Sequence, residues 1–203
     1  MKEGTEMTKD LYFGSIDDKF REVLESKAWR NLENDFKECQ TIMFCSNGGN
    51  FSIASHIATD ISRLTDKVAL TSETIMAMSL INDKTYCDWM DDWVTIMTRQ
   101  FSTRQLSKTL LIGISSSGRS QNVLQALKSH HERGIRTALI TSLDTEDDTP
   151  FIDNQVTLGV EAYHTGEVLT LLLGYQLIKS GGYECPLIRE KVGQELFHKK
   201  YIK

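Results

Sequence analysis

Residues Thr109–Ile114 (TLLIGI) and Ser115–Ser120 (SSSGRS) are the stretch of sequence that decides the fold. The first six residues carry no charge, and four of them are Leu or Ile, which predicts a buried strand that ends in a Ser/Gly turn. Beyond the turn, apolar residues such as Val123 and Leu127 recur at helical spacing, so a helix is predicted as far as Gly134. The stretch is therefore predicted to be a strand, a turn and a helix.

The same order of elements occurs earlier in the chain. Thr41–Cys45 (TIMFC) predicts a buried strand, Ser46–Asn50 (SNGGN) a turn, and Ser52–Leu64 an amphipathic helix. Further strands are predicted at Lys67–Thr71, Arg136–Thr141 and Gln155–Val160. Because strands that alternate with helices pair in parallel through right-handed crossovers, the sequence predicts an α/β sandwich.

Helical spacing predicts three further segments, at Ile16–Phe36, at Thr74–Phe101 with an interruption near Asn82, and at Gly166–Lys179. The last segment is apolar on nearly every side, so it must be buried in the core or against a partner subunit. Together with Trp29 in the first segment, it supplies more apolar surface than one face of a sheet covers. We therefore expect the chain to self-associate into a closed symmetric assembly.

The composition is that of an ordinary globular domain. The 203 residues carry a formal net charge of −5, with 25% charged and 40% hydrophobic residues. We predict a single domain over residues 1–203, with a helical extension at about 1–38, an α/β core at about 39–182 and a tail at 183–203.

Charge and hydropathy exclude several classes of protein. A mildly acidic chain lacks the basic patch of nucleic-acid-binding proteins. No apolar run approaches the about 18 residues of a membrane-spanning helix, and the first residues lack the apolar core of a secretory signal. We therefore expect a cytoplasmic location without a nucleic-acid or membrane partner. The four cysteines are scattered without a CxxC pair, so we expect reduced thiols.

Each Ser/Gly turn lies between the carboxyl end of a predicted parallel strand and the start of a helix. Open parallel sheets bind their ligands at this position. The N-terminus of a helix offers unpaired N–H groups and a partial positive charge, which suit a phosphate. The predicted phosphate-binding residues are Gly48, Gly49 and Asn50 in the first turn and Ser115, Ser116, Ser117 and Ser120 in the second. The alternative is that these residues serve only as helix caps and turns. Neither turn has a GxGxxG or GxxxxGK[ST] pattern, which disfavours a nucleotide.

These motifs resemble those of the sugar isomerase (SIS) fold, and within it those of the bacterial phosphoheptose isomerases. That family typically has GNGGS at the first turn and GISTSGNSxNV at the second, where this chain has SNGGN and GISSSGRSQNV. Asn82-Asp83 also resembles a mid-chain Asn-Asp pair of the family. The likeness covers about residues 15–180.

The resemblance implies a three-layer αβα sandwich with a five-stranded parallel sheet and an N-terminal helical segment, assembled as a homotetramer. It implies a phosphorylated sugar as the ligand, with Asn47 and Asp83 beside the serines of the second turn. The implied reaction is the aldose–ketose isomerisation of a sugar phosphate such as sedoheptulose 7-phosphate.

In that family four residues can together hold a zinc ion, and this chain differs from the family within that set. The family has His and Glu four residues apart on the first helix of the sheet, and Gln and His on the last helix. His56 and Asp60 stand at the first pair of positions, but Gly166 and Gly174 stand at the second. Because zinc sites use three or four protein ligands, His56 and Asp60 alone would form a weak, incomplete metal site.

Isomerisation requires a group that moves a proton between neighbouring carbons. The candidates are Asp60, Glu167 and His164. Each has an alternative role: Asp60 on an exposed helical face, His164 in a surface loop, and Glu167 as an acid that complements the dipole of its helix.

The sequence leaves three functions open. We favour a sugar-phosphate isomerase with a diverged active site. A sugar-phosphate-binding module without activity and a protein-interaction module are the alternatives.

Overall fold

The computed structural model describes residues 13–72, 74–145 and 149–187. Residues 1–12 of the predicted extension and 188–203 of the predicted tail lie outside this part of the chain. The five strands are β1 (Thr41–Ser46), β2 (Val68–Thr71), β3 (Thr109–Ile114), β4 (Arg136–Thr141) and β5 (Asn154–Thr157). They form one parallel sheet in the order β2-β1-β3-β4-β5.

Helices cover both faces of the sheet. They are α1 (Phe13–Glu25), α2 (Lys27–Glu38), α3 (Gly48–Leu64), α4 (Thr74–Asp83), α5 (Trp89–Thr98), α6 (Thr103–Leu106), α7 (Gln121–Glu132) and α8 (Tyr163–Ser180). Alternate residues of β1 face opposite sides, since Ile42 and Phe44 belong to the core cluster that includes residues of α1, α2, α3 and α8, and Met43 and Cys45 belong to the cluster that includes residues of α5 and α7. The predicted three-layer sandwich with a five-stranded parallel sheet is confirmed.

The predicted N-terminal helix is divided into two. Ser26 interrupts it, because its hydroxyl accepts a hydrogen bond from the Trp29 N–H (3.0 Å) and caps the start of α2. Trp29 is 1% exposed and belongs to the core of this chain. The expectation that Trp29 offers apolar surface to a partner is therefore wrong.

Two other predicted boundaries differ from the structure. Helix α8 begins at Tyr163, so His164 lies in its first turn and not in a loop ahead of it. Strand β5 spans Asn154–Thr157 and ends before Val160. No helix among the described residues has the length and apolar character needed to cross a bilayer.

A buried polar cluster joins α5 to α7 on one face of the sheet. The fully buried His130 accepts a hydrogen bond at Nδ1 from Arg133 (2.9 Å), so its Nε2 carries the proton that it donates to Asp91 Oδ1 (2.9 Å). The Ser129 hydroxyl also donates to Asp91 (3.1 Å). Burial by itself would raise the pKa of Asp91, but these hydrogen bonds and nearby positive charge outweigh it and lower the pKa.

This cluster predicts a pH-dependent contribution to stability. Because the pKa of Asp91 is lowered on folding, its contribution is present above the unfolded pKa of about 4 and is lost as the pH falls through the folded value. We expect Asp91→Asn to lower the free energy of unfolding by about 1–2 kcal/mol at pH 7 and by less at pH 3. Urea denaturation of both proteins at the two pH values measures this difference.

The matched control is Asp17→Asn, since Asp17 forms an exposed ion pair with Arg21 on α1. We expect this change to alter the free energy of unfolding by less than about 0.5 kcal/mol at either pH. If the difference in the free energy of unfolding between wild type and Asp91→Asn were larger at pH 3 than at pH 7, the hydrogen bonds of this cluster would not stabilise the ionised form of Asp91.

Candidate active site

The two Ser/Gly turns lie side by side because β1 and β3 are neighbours in register, with Ser46 opposite Ile114. Hydrogen bonds join the turns directly. The Asn50 amide donates to the Ser116 hydroxyl (3.1 Å). The amides of Asn47 and Asn122 form a reciprocal pair, at 3.0 Å and 2.9 Å. The two turns thus form one continuous edge above the carboxyl ends of the strands.

The second turn is shaped by hydrogen bonds within the serine run. The Ser115 hydroxyl donates to Ser120 Oγ (2.9 Å), and the Gly118 N–H donates to the Ser115 carbonyl (2.9 Å). Gly118 has φ +68°, and a Cβ there would clash with the Thr145 side chain. The turn therefore depends on glycine at this position, both for its backbone conformation and for space.

Neither helix that opens at this edge is capped by its own N-cap side chain. Asn47 precedes α3 and Ser120 precedes α7, and neither side chain accepts a hydrogen bond from the first turn of its helix. Instead, these side chains bond to Asn122 and Ser115. Free N–H groups and the partial positive charge at such helix ends suit an anionic ligand.

Glu167 reaches the same edge from α8. Its carboxylate lies directly against Gly49 in the first turn of α3, and a Cβ on Gly49 would clash with it. Gly166 packs as closely against Ser142, whose N–H donates to the Ser116 carbonyl (3.0 Å). The structure therefore places Glu167 against the first turn, and its neighbour Gly166 against Ser142, which is bonded to the second turn. Because the Glu167 carboxylate already lies at the N-terminus of α3, the serine turn before α7 is the part of this edge that remains available to an external anion.

His164 lies at the outer side of Glu167. Its side chain is 82% exposed, and its Nδ1 is 4.0 Å from Glu167 Oε2. At that distance the two groups can exchange a proton through one bridging water.

His56 and Asp60 lie further along α3, away from the turns. The Tyr175 hydroxyl is 2.7 Å from His56 Nε2, and Asp60 Oδ2 is 3.6 Å from the same nitrogen. Asp60 is eleven residues after Gly49 on α3, about 16 Å along the helix axis. The structure therefore does not bring Asp60 together with Glu167 and the serines.

The residues around His56 do not fit a zinc ion. The space beside Gly174 is filled by the side chain of Ile57, and the space beside Gly166 by Ser142. In the ranges that the structure describes, no three His, Cys, Asp or Glu side chains converge on one point. His56 and Asp60 supply only two donor side chains, and His56 is already bonded to Tyr175. Zinc sites use three or four protein ligands.

Asp83 lies exposed at the end of α4, where it accepts a hydrogen bond from the Asn82 amide (3.3 Å). No described hydrogen bond joins it to either turn. Sequence reasoning missed Tyr86, whose hydroxyl donates to Asn47 Oδ1 (2.8 Å). Its only sequence signal was its position three residues after Asp83.

No family model matches the chain. It is 33% identical to the phosphoheptose isomerase of Aliarcobacter butzleri (strain RM4018) over 131 residues, 61% of this chain and 65% of that protein. It is 31% identical to the phosphoheptose isomerase of Helicobacter pylori (strain HPAG1) over 129 residues, 60% of this chain and 62% of that protein. The matches span less than two thirds of the length of these curated relatives.

Solved structures share the fold. The phosphoheptose isomerase of Neisseria gonorrhoeae superposes with a TM-score of 0.71 at 19% identity, over 83% of this chain and 91% of that one. The Vibrio vulnificus NanR protein, solved in complex with ManNAc-6P, superposes with a TM-score of 0.57 at 17% identity, over 82% of this chain and 59% of that one. The chain thus shares the fold of these solved structures and is similar in sequence to phosphoheptose isomerases over about three fifths of its length.

Proposed function

We propose that this chain is an aldose–ketose isomerase that acts on a phosphorylated sugar. The observation that carries the proposal is the meeting of three elements at one edge of the sheet: two turns joined by the Asn50–Ser116 hydrogen bond, and Glu167 against Gly49. A phosphate-binding turn and a carboxylate so placed can hold a sugar phosphate by one end and act on its other end.

The phosphate lies at the second turn. There the hydroxyls of Ser116, Ser117 and Ser120 and the N-terminal N–H groups of α7 surround an anion, and no acidic side chain of the turn opposes it. Two or three charge-assisted hydrogen bonds hold a phosphate dianion more firmly than neutral ones would.

Glu167 supplies the base. Its carboxylate takes the proton from the hydroxylated carbon next to the ketose carbonyl, and the electron pair moves to the carbonyl oxygen to give an enediolate. The carboxylic acid then returns the proton to the former carbonyl carbon, while the proton of the neighbouring hydroxyl passes to the former carbonyl oxygen, which leaves the aldehyde of the aldose. His164, 4.0 Å from Glu167, is placed to carry that oxygen-bound proton.

We assign the base to Glu167 and not to Asp60 for a geometric reason. Glu167 contacts the first turn, whereas Asp60 is about 16 Å further along α3 and is close to His56 (3.6 Å) and Arg63 (3.7 Å). His56, Asp60 and Arg63 thus form a network on α3, and the hydrogen bond between His56 and Tyr175 links it to α8.

We also propose that the chain forms a symmetric homo-oligomer, a tetramer by the resemblance. Val168 and Leu172, four residues apart on one face of α8, are both exposed. A second copy that covers this stripe would remove its apolar surface from water.

The experiment that tests the function is incubation with sedoheptulose 7-phosphate and with pentose and hexose phosphates, followed by measurement of the aldose formed. We expect turnover of at least one ketose phosphate and inhibition by inorganic phosphate. Tight binding without turnover would favour a sugar-phosphate-binding module, the function that the glycines at positions 166 and 174 favour. Failure to bind any of these compounds would contradict both functions.

A further inference from the structure

Tyr86 reaches the edge of the candidate active site from a third segment, the connection between α4 and α5. Its hydroxyl donates to Asn47 Oδ1 (2.8 Å), and the Asn122 amide donates to the same oxygen (2.9 Å). An amide oxygen accepts two hydrogen bonds, so these donors complete its capacity. Tyr86 is thereby attached to the point where the two turns meet.

The aromatic ring of Tyr86 is not used by the core. The residue is 55% exposed, and it belongs to neither buried cluster of the sandwich. A large aromatic side chain with one polar end anchored and its ring in solvent is well suited to contact a ligand that has both polar and apolar groups.

The segment that carries Tyr86 is held in place by polar contacts. The Thr85 hydroxyl donates to Asp88 (2.6 Å), and Lys84 pairs with Asp92 (2.5 Å) in the first turn of α5. The preceding helix α4 has no buried residue. The position of Tyr86 thus depends on these local contacts and on the hydrogen bond to Asn47.

We propose that Tyr86 is a specificity-determining residue that packs against the carbon chain of the bound sugar phosphate; this rests on the proposed function. The Asn47–Asn122 pair joins the serine turn to the first turn, and the Tyr86 hydroxyl is bonded to this pair. The carbons attached to a phosphate at the serine turn would extend along the pair toward Tyr86. The ring contributes contact with C–H groups, and so it discriminates phosphorylated sugars from inorganic phosphate.

Calorimetric titration of the full chain with ribose 5-phosphate and with inorganic phosphate tests this role. We expect Tyr86→Ala to weaken the affinity for ribose 5-phosphate about tenfold and the affinity for inorganic phosphate less than about twofold. Tyr86→Phe keeps the ring but removes the bond to Asn47, so we expect a smaller loss for the sugar phosphate, about threefold. The control is Met78→Ala, an exposed residue of α4, which should change neither affinity.

The outcomes separate the two proposals. An equal loss of both affinities in Tyr86→Ala would show that Tyr86 only supports the turns. No loss of either affinity would show that its ring does not contact the sugar. Each of these results overturns the inference about Tyr86 and leaves the proposed phosphate site intact. If the wild-type chain binds neither compound, the proposed function itself is wrong. Thermal melting of each variant checks that it is folded.

Discussion

Glu167→Gln is expected to reduce kcat about 100-fold or more and to change the affinity for the sugar phosphate less than about threefold. Glutamine has the same shape but accepts no proton, and loss of a positioned general base costs about 10²–10⁴ in rate. The phosphate is held by a different element, the turn before α7, so binding is retained. Steady-state kinetics gives kcat, and calorimetric titration gives the affinity.

The control for this variant is Glu161→Gln. Glu161 is an exposed carboxylate two residues before α8, and its replacement changes the net charge in the same way. We expect kcat within about twofold of wild type. If Glu167→Gln keeps more than about a tenth of wild-type kcat, the base lies elsewhere, and Asp60→Asn becomes the next variant to measure.

Gly118→Val is expected to weaken the affinity for a phosphate ester about 100-fold or more. A β-branched residue is strongly disfavoured at φ +68°, and its Cβ would clash with Thr145, so the serine turn must move away from its present position. The loss of two charge-assisted hydrogen bonds, each worth about 1.5–3 kcal/mol, corresponds to that change in affinity. Titration with a phosphate ester measures it.

Gly134→Val provides a matched control. Gly134 has φ +84°, so valine meets the same kind of backbone strain, but no atom lies within 4 Å of the position of its Cβ. Both variants should be less stable than wild type, whereas only Gly118→Val should lose affinity. Equal affinities in the two variants would show that the serine turn does not bind the phosphate.

Local signals allowed much of the fold to be predicted from the sequence. The uncharged run at Thr109–Ile114 gave the bounds of β3 correctly, because a fully buried parallel strand has a continuous apolar sequence bounded by turn residues. The break at Ser26 was missed, since apolar spacing continues across it and only the side-chain bond to Trp29 shows that a new helix begins there. Strand ends depend on pairing with neighbours, which explains the error at β5.

The candidate site could be predicted only in part. The glycines and serines of the turns carry a signal because their backbone and hydroxyl chemistry suits an anion wherever the fold places them. The contact of Glu167 with Gly49 depends on how α8 packs against α3, and the filling of the space beside Gly174 depends on the rotamer of Ile57. Neither contact, nor the bond from Tyr86 to Asn47, follows from local sequence, because each joins residues that are far apart in the chain.

A crystal structure of the chain with sedoheptulose 7-phosphate tests the central proposal most directly. We expect the phosphate at the serine turn, within hydrogen-bond distance of Ser117 and Ser120, and the ketose carbonyl end directed toward Glu167. A phosphate bound at the opposite edge of the sheet, beside the Arg136 guanidinium in the pocket that Asp35 and Asn154 also line, would contradict the account.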